Sequence, residues 1–408
     1  MKKFSFLKPS HSNDFAWPYW LIVPIYPYGE RRTIRQEIEK DTIWTFEQLQ
    51  GIFYVVVPIR MTVIKLDGGG LLVYAPVAPT HECINLMRQL EARHGEVKYI
   101  ILPTISGIEH KVFVGPFARF FPSAEVFIAP DQWSFPLNLP VSWLGLPPKR
   151  THVLPDDPAT SPFAGELGYD ILPAIDLNLG DFSEVAFFHR ASRTLLVTDT
   201  IVSVPDYPPP ILEIDPYPLL FHAKDTPFDS PADTPENRRK GWQRICLFSL
   251  YFQPHSLGVP RWQQVFANAF QVKDRSKKNY FGLYPFQWSL DWPDTFNSLR
   301  NDGRPIVAPI LQTLILNRTP ERVLAWAERV SMWDFQRIIP CHFAAPVTAN
   351  GESFKKAFSF LEDNNYLPRE DLAYIRGVDK FLYSWKIIPP PVTSDSHGIG
   401  ENGGLIDK

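Results

Sequence analysis

With 408 residues, 45% of them apolar and 21% charged, the chain has the balance of a globular protein with room for one large or two medium domains. A formal net charge of −3 and no Lys/Arg block exclude a general nucleic-acid binder. The 41 prolines, about twice the usual frequency, move much of the chain into loops and turns, and three cysteines without a CxxC pair (Cys83, Cys246, Cys341) fit free thiols in a reducing compartment.

At the N-terminus, Lys2 and Lys3 are followed by no unbroken apolar run, so a cytoplasmic protein without a signal peptide is expected. Phe15 to Tyr28, FAWPYWLIVPIYPY, is apolar, interrupted by proline and too short to span a bilayer. Its Trp17, Tyr19, Trp20, Tyr26 and Tyr28 suit an arm packed on its own domain, with peripheral contact at a membrane interface as the alternative. A charged segment, Arg31 to Asp41, leads to apolar Ile43 to Leu49. Strands are then expected in FYVVVPIRMTVIKL and LLVYAP, on either side of Asp67-Gly68-Gly69-Gly70. That Gly run precedes neither a helix nor Lys-Ser/Thr, so it reads as a hairpin turn and not a phosphate loop. Thr80 to His94 is a predicted helix, with Thr80 as N-cap, Glu82 in the first turn and Ile84, Leu86, Met87 and Leu90 as its apolar face. His81 and His94 flank it and are expected in solvent.

Ligand-capable residues concentrate between Tyr99 and Pro130. A buried strand, Tyr99 to Leu102, stops at Pro103, and a turn leads to Glu109-His110. An amphipathic segment follows, carrying Phe113, Phe117, Phe120 and Phe121, and then a strand from Glu125 to Ala129. A strand ending in polar residues ahead of a helix is a common place for an active site in α/β proteins. After a loop-rich stretch from Trp133 to Pro173, with a strand at Gly168 to Leu172, the segments Ser183 to Phe188 and Thr194 to Thr198 form a hairpin. His189 lies at its turn and is expected at the surface. Val202 to Phe296 is rich in Pro and aromatics, including Trp242, Trp262, Trp288 and Trp292, with a helix from Asn237 to Phe252. Leaving from the end of the Asp199 strand, it should cover that face, where it would shape a pocket, plug it or dock a partner. Ala308 to Asn317 is strand or helix. Thr319-Pro320-Glu321 starts a helix, Arg337 to Ile339 is a strand with His342 just beyond it, and Glu352 to Asp363 is a closing helix. From Pro389 the composition is that of disorder.

Three of these stretches carry a resemblance. Tyr99 to Pro130 resembles the metal-binding motif of the metallo-β-lactamase superfamily, Thr-His-x-His-x-Asp-His ahead of a helix. Thr104 keeps its place, Ile105 and Gly107 stand for the first two histidines, Glu109 for the aspartate and His110 for the last histidine. RTLLVTDT (193–200) is similar to the strand delivering the bridging aspartate, here Asp199, and RIIPCHF (337–343) to the one delivering the final histidine, here His342. Gly180 stands where the remaining histidine would be. Over about residues 50 to 365 the chain is similar to an uncharacterised domain-of-unknown-function family of cyanobacteria and plant plastids with a degenerate metallo-β-lactamase-like fold.

The resemblance implies an α/β protein built as a four-layer αβ/βα sandwich: an N-terminal arm (1–50), a first half-domain (51–201), an aromatic insert (202–296), a second half-domain (297–388) and a tail (389–408). For plant relatives it implies the plastid stroma. It also implies that the three histidines of one metal are lost, at Ile105, Gly107 and Gly180, while the ligands of the other persist as Glu109, His110, Asp199 and His342. Two imidazoles and two carboxylates suit zinc, iron(II) or manganese. Two functions are therefore expected. One is a non-catalytic binding or scaffold protein without a cofactor, docking a protein, pigment, lipid or membrane surface through residues 15–28 or the insert. The alternative is a single-metal hydrolase in which those four residues hold an activated water. His222 or His255 of the insert would be replacement ligands. No GxSxG elbow, Walker sequence, HExxH or Rossmann fingerprint supports another chemistry.

Overall fold

The computed structural model describes residues 4–5, 12–18, 26–105, 109–132, 140–362 and 364–392; Tyr19, Trp20, Gly107 and the tail beyond 392 lie outside them. Among the described residues, eight strands form one sheet in chain order: β1 (Phe4–Ser5), β2 (Ile34–Glu39), β3 (Ile43–Ile52), β4 (Val55–Lys65), β5 (Leu71–Tyr74), β6 (Val97–Leu102), β7 (Glu125–Ile128) and β8 (Thr151–Val153). Pairing is antiparallel from β1 to β5 and parallel from β5 to β8. Parallel neighbours need crossovers, supplied by α1 (His81–His94) after β5 and α2 (Glu109–Arg119) after β6.

The second sheet begins with β9 (Leu167–Ile171). A small hairpin, β10 (Ile175–Asp176) with β11 (Asp181–Phe182), then leads to β12 (Val185–His189) and β13 (Thr194–Val197). A further pair, β14 (Leu257–Gly258) with β15 (Gln287–Trp288), lies within 202–296. The sheet is completed by β16 (Arg337–Pro340) and β17 (Val347–Thr348), in the order β17-β16-β13-β12-β9.

Period-2 alternation sorts the strand residues into layers. Leu72 and Tyr74 of β5, Ile101 of β6, Val185 and Phe187 of β12, Leu196 of β13 and Ile339 of β16 share one buried cluster between the sheets. Their neighbours point outward. Leu71, Val73 and Ile100 meet Leu86, Met87 and Phe117 of α1 and α2. On the far side, Leu195, Val197 and Ile338 meet Trp326 and Val330, on the helix later in the chain. The result is the expected four layers, helix–sheet–sheet–helix.

The remaining helices are α3 (Tyr217–Ala223), α4 (Pro235–Tyr251), α5 (Trp262–Gln271), α6 (Trp292–Arg300), α7 (Pro309–Leu314), α8 (Pro320–Ser331), α9 (Gly351–Lys356) and α10 (Ala373–Ser384). Trp242, Ile245 and Leu250 of α4 pack with Leu49 and Val56 of β3 and β4 and with Phe343. The α3–α4 contact is backbone-close, because a Cβ on Gly241 would fall 1.8 Å from the Leu219 carbonyl oxygen.

Local signals explain the helix ends. Thr80 Oγ1 accepts from Cys83 N at 3.2 Å, and Gly95, at φ 96°, ends α1. The charged segment 31–41 holds β2, with Arg35 reaching Leu86 O of α1 at 2.8 Å. The stretch Ala308 to Asn317, strand or helix by sequence, holds α7 and the start of a short 3-10 turn. Several expectations are corrected. Thr319 opens α8 without a side-chain cap bond. The closing helix is short (α9), followed by a turn at Ser359–Glu362 and by α10, which the sequence reading did not foresee. Phe120 lies past α2, 37% exposed. His94 is half-buried, its ring 4.9 Å from that of Trp44, and His189 is buried, bonded to Ser192 Oγ at 2.7 Å. Trp17 packs edge-on against Phe113 with centroids 5.2 Å apart, so this part of the arm lies on its own domain. No helix of the described residues is long and apolar enough to cross a membrane.

Gly241→Ala should cost about 3 kcal/mol or more, since backbone must move to admit the methyl group. A lower urea midpoint is the readout, and an unchanged midpoint would contradict the close α3–α4 crossing.

Candidate functional site

β13 and β16 run parallel, so Thr198–Thr200 and Cys341–Phe343 leave the second sheet at the same edge. The chain leaving β6 joins them there: Thr104 bridges to Glu184, and Ile105 N donates to Ser183 O at 3.3 Å. Three distant segments thus bring His110, Asp199 and His342 together. His342 Nε2 lies 3.2 Å from Asp199 Oδ1, and the His110 and His342 ring centroids are 6.4 Å apart. Nδ1 of His110 donates to Pro76 O at 3.1 Å and Nδ1 of His342 to Pro58 O at 3.0 Å. Segment 202–296 reaches the same rim through Trp242, whose ring centroid is 6.0 Å from that of Phe343.

Buried charges that the sequence reading passed over hold this rim. Glu184 is fully buried, and its carboxylate accepts from Thr198 N (2.9 Å), Asp199 N (2.7 Å), Thr200 N (2.9 Å) and Thr200 Oγ1 (2.8 Å). Arg60, also buried, donates to Pro340 O and Phe343 O on either side of His342 and pairs with Glu47. Lys111 Nζ donates to Ile105 O at 2.6 Å. A carboxylate at the head of the apolar run EVAFF and an Arg inside VVVPIRMTVIK were the available signals, since each needs partners when its strand is buried.

The electrostatics follow from burial and these partners. Burial works to raise the Asp199 pKa. The contact with His342 and the fields of His342 and His110 outweigh it, holding the carboxyl below its usual range. Burial and the neighbouring Asp199 charge push Glu184 up. Burial lowers Lys111 to about 8 and pushes the Cys341 thiol well up. Both His342 nitrogens face acceptors, Pro58 O and Asp199 Oδ1, and only the doubly protonated ring donates to both.

Ile105, at a lost-ligand position, is buried in the inter-sheet cluster. Gly180 sits at the β10–β11 turn with φ 137°. Gly107 and the Glu109 side chain lie outside the described residues. Two imidazoles on one tetrahedral ion would have centroids about 5 Å apart, closer than the 6.4 Å seen. Among the described residues no group of three or more His, Cys, Asp or Glu is placed to hold a metal. As arranged, then, the described donors do not fit one. The suggested replacement ligands are engaged elsewhere: His222 Nε2 donates to Phe53 O at 3.2 Å, and His255 lies between Asp371 (2.5 Å) and Asp291 (2.9 Å).

Two outcomes follow. Glu184→Gln leaves buried N–H groups of 198–200 facing an amide nitrogen and should cost about 2–4 kcal/mol in chemical denaturation; a loss below ~0.5 kcal/mol would show that the carboxylate does not organise the turn. His222 is fully buried, and burial lowers its pKa to about 3. The unfolded chain therefore takes up a proton near pH 6.5 that the folded chain refuses. Stability from this group is full above 6.5 and falls by up to about 1.4 kcal/mol per pH unit down to the folded pKa. The stability–pH curve of His222→Gln should be flatter than that of wild type between pH 6.5 and 3.

A comparison with curated proteins finds no match. Solved structures similar to this chain include the metal-soaked Flv1 flavodiiron core from Synechocystis sp. PCC6803 (12% identity, 82% of this chain and 61% of that one, TM-score 0.38). Others are a metallo-beta-lactamase from Pontibacter korlensis (10%, 82% and 100%, 0.36) and the FIM-1 metallo-beta-lactamase from Pseudomonas aeruginosa in its mono-zinc form (9%, 82% and 97%, 0.37). The chain covers less than two thirds of the flavodiiron core. The layer order stands on the two sheets themselves. The family described as Domain of unknown function (DUF4336) matches residues 40–360, and the chain belongs to that family.

Proposed function

We propose that the chain is a non-catalytic binding protein whose rim is an internal ion-pair clasp and not a metal centre. The observation that carries the reading is the 3.2 Å contact of His342 Nε2 with Asp199 Oδ1. An imidazolium donating to an ionised carboxylate supplies the positive charge the acid needs without an ion. Ile105 supports the reading, because it fills a ligand position with core packing.

One observation favours a second reading. The same 3.2 Å is about the edge of a tetrahedron with metal–ligand bonds near 2.0–2.2 Å. A single zinc, iron or manganese ion on Asp199 and His342, with His110 drawn in by about 1 Å, would serve a hydrolase.

Metal analysis of the purified chain, followed by zinc, iron(II) and manganese titration of wild type, His110→Ala and His342→Ala, separates the two. The clasp reading expects well under about 0.1 metal per chain and no saturable binding. It also expects His342→Ala to lose about 1–3 kcal/mol of stability, since Asp199 would be left without its partner. Stoichiometric metal that both variants lose would sink the clasp.

A further inference from the structure

α5 is amphipathic in an inverted sense. Its buried positions are small or medium, Val265 and Ala269, while Trp262, Phe266 and Phe270 are 59%, 51% and 76% exposed. Spaced i, i+4 and i+8, these three rings form one stripe along the solvent side of the helix. Phe281, 62% exposed, stands beside it, because Gly282 packs so closely on α5 that a Cβ there would lie 2.9 Å from Ala269 O. Single exposed hydrophobics are ordinary; a row of three large aromatic rings along one helix, with a fourth exposed ring on the neighbouring segment, marks an interaction site.

The charges around the stripe identify its partner. Arg261 precedes the helix, and Lys273, Arg275, Lys277 and Lys278 follow it, all exposed. Between 261 and 281 these five cations are set against a single acid, Asp274, in a chain whose net charge is −3. Asp274 is itself engaged, its carboxylate accepting from Ser276 N at 2.9 Å. A short helix with Trp and Phe on one side and cations at its ends has the chemistry of an element lying in the headgroup layer of an anionic bilayer. The rings enter the acyl boundary there, and the cations meet lipid phosphates. We propose that α5 and the 273–281 segment dock this protein peripherally on an anionic lipid surface. The proposal rests on reading the chain as a binding protein, but metal analysis reads the rim separately, so each can fail alone.

The test is flotation of the full chain with phosphatidylcholine vesicles, with and without phosphatidylglycerol, at low and high salt. Wild type should float with the phosphatidylglycerol vesicles, less so at high salt, and remain unbound with phosphatidylcholine alone. The triple variant Trp262→Ala/Phe266→Ala/Phe270→Ala should lose at least about tenfold in bound fraction with an unchanged melting midpoint. Lys273→Glu/Lys277→Glu should lose the preference for phosphatidylglycerol. If the triple variant misfolds, Phe270→Glu, at the most exposed ring, reads the same loss. Wild type that floats with neither vesicle, or a triple variant that floats like wild type, would overturn the proposal. So would a wild-type dimer that the triple variant converts to monomer, because a second copy would then be the partner of the stripe.

Discussion

A carboxylate taken out of water costs several kcal/mol unless hydrogen-bond donors or a cation replace the lost hydration. Glu184 is fully buried, and donors from three consecutive residues, 198 to 200, answer it. The turn that presents Asp199 is therefore set by an acid on the neighbouring strand, and it cannot relax without orphaning buried N–H groups. The chain leaving β6 is tied to the same place, through the Thr104–Glu184 bridge and the Ser183 carbonyl. Arg60 does the corresponding work for His342, holding the carbonyls of Pro340 and Phe343. The arrangement of the rim thus depends on two buried charges, one from each sheet.

This arrangement sets an electrostatic requirement. Glu184 and Asp199 are adjacent acids, and the Asp199 charge helps to push the Glu184 carboxyl up. Nearby cations favour the ionised form of Asp199. In a metal centre the ion would supply that charge. On the clasp reading, His342 touches Asp199 and His110 adds its field from farther away. Histidine and aspartate therefore have a reason to persist at this edge that does not require chemistry. Removing either would unbalance a partly exposed pair that stands beside the buried Glu184 carboxylate.

The layers were legible because the strands alternate: LLVY, TLLV and RIIP each send successive residues to opposite sides of a sheet, and both sides are apolar. The meeting of His110, Asp199 and His342 was legible from motif spacing, with Asp199 and His342 just beyond the ends of buried strands and His110 in the first turn of α2. Less visible were residues whose role is set by a distant partner. β2 reads only as a charged segment in the sequence, because its Arg35 lies along α1. His94 reads as a surface residue, yet Trp44, 50 residues away in sequence, shelters it, while His189 is held by Ser192 three residues on. Glu184 carries no local signature beyond a charge in an apolar strand, because its three N–H donors lie about 15 residues on, across a hairpin.

The same energetic reasoning, applied to the surface, separates α5 from α8 and α4. In α8 the large residues Val323, Trp326 and Val330 face the sheet, as burial of apolar area requires. In α4, Trp242 is fully buried and its indole N–H donates to Pro205 O. α5 reverses the pattern, placing small side chains against the protein and indole and phenyl rings in water. Folding gains little from that choice, because all three rings stay more than half exposed. The exposed rings carry a solubility cost, and the cations that flank them offset part of it. A surface that is unfavourable in water and bordered by positive charge becomes favourable where an apolar layer lies beneath anionic groups. For this reason the stripe, more than the charge-balanced rim, is where the molecule is open to an outside partner.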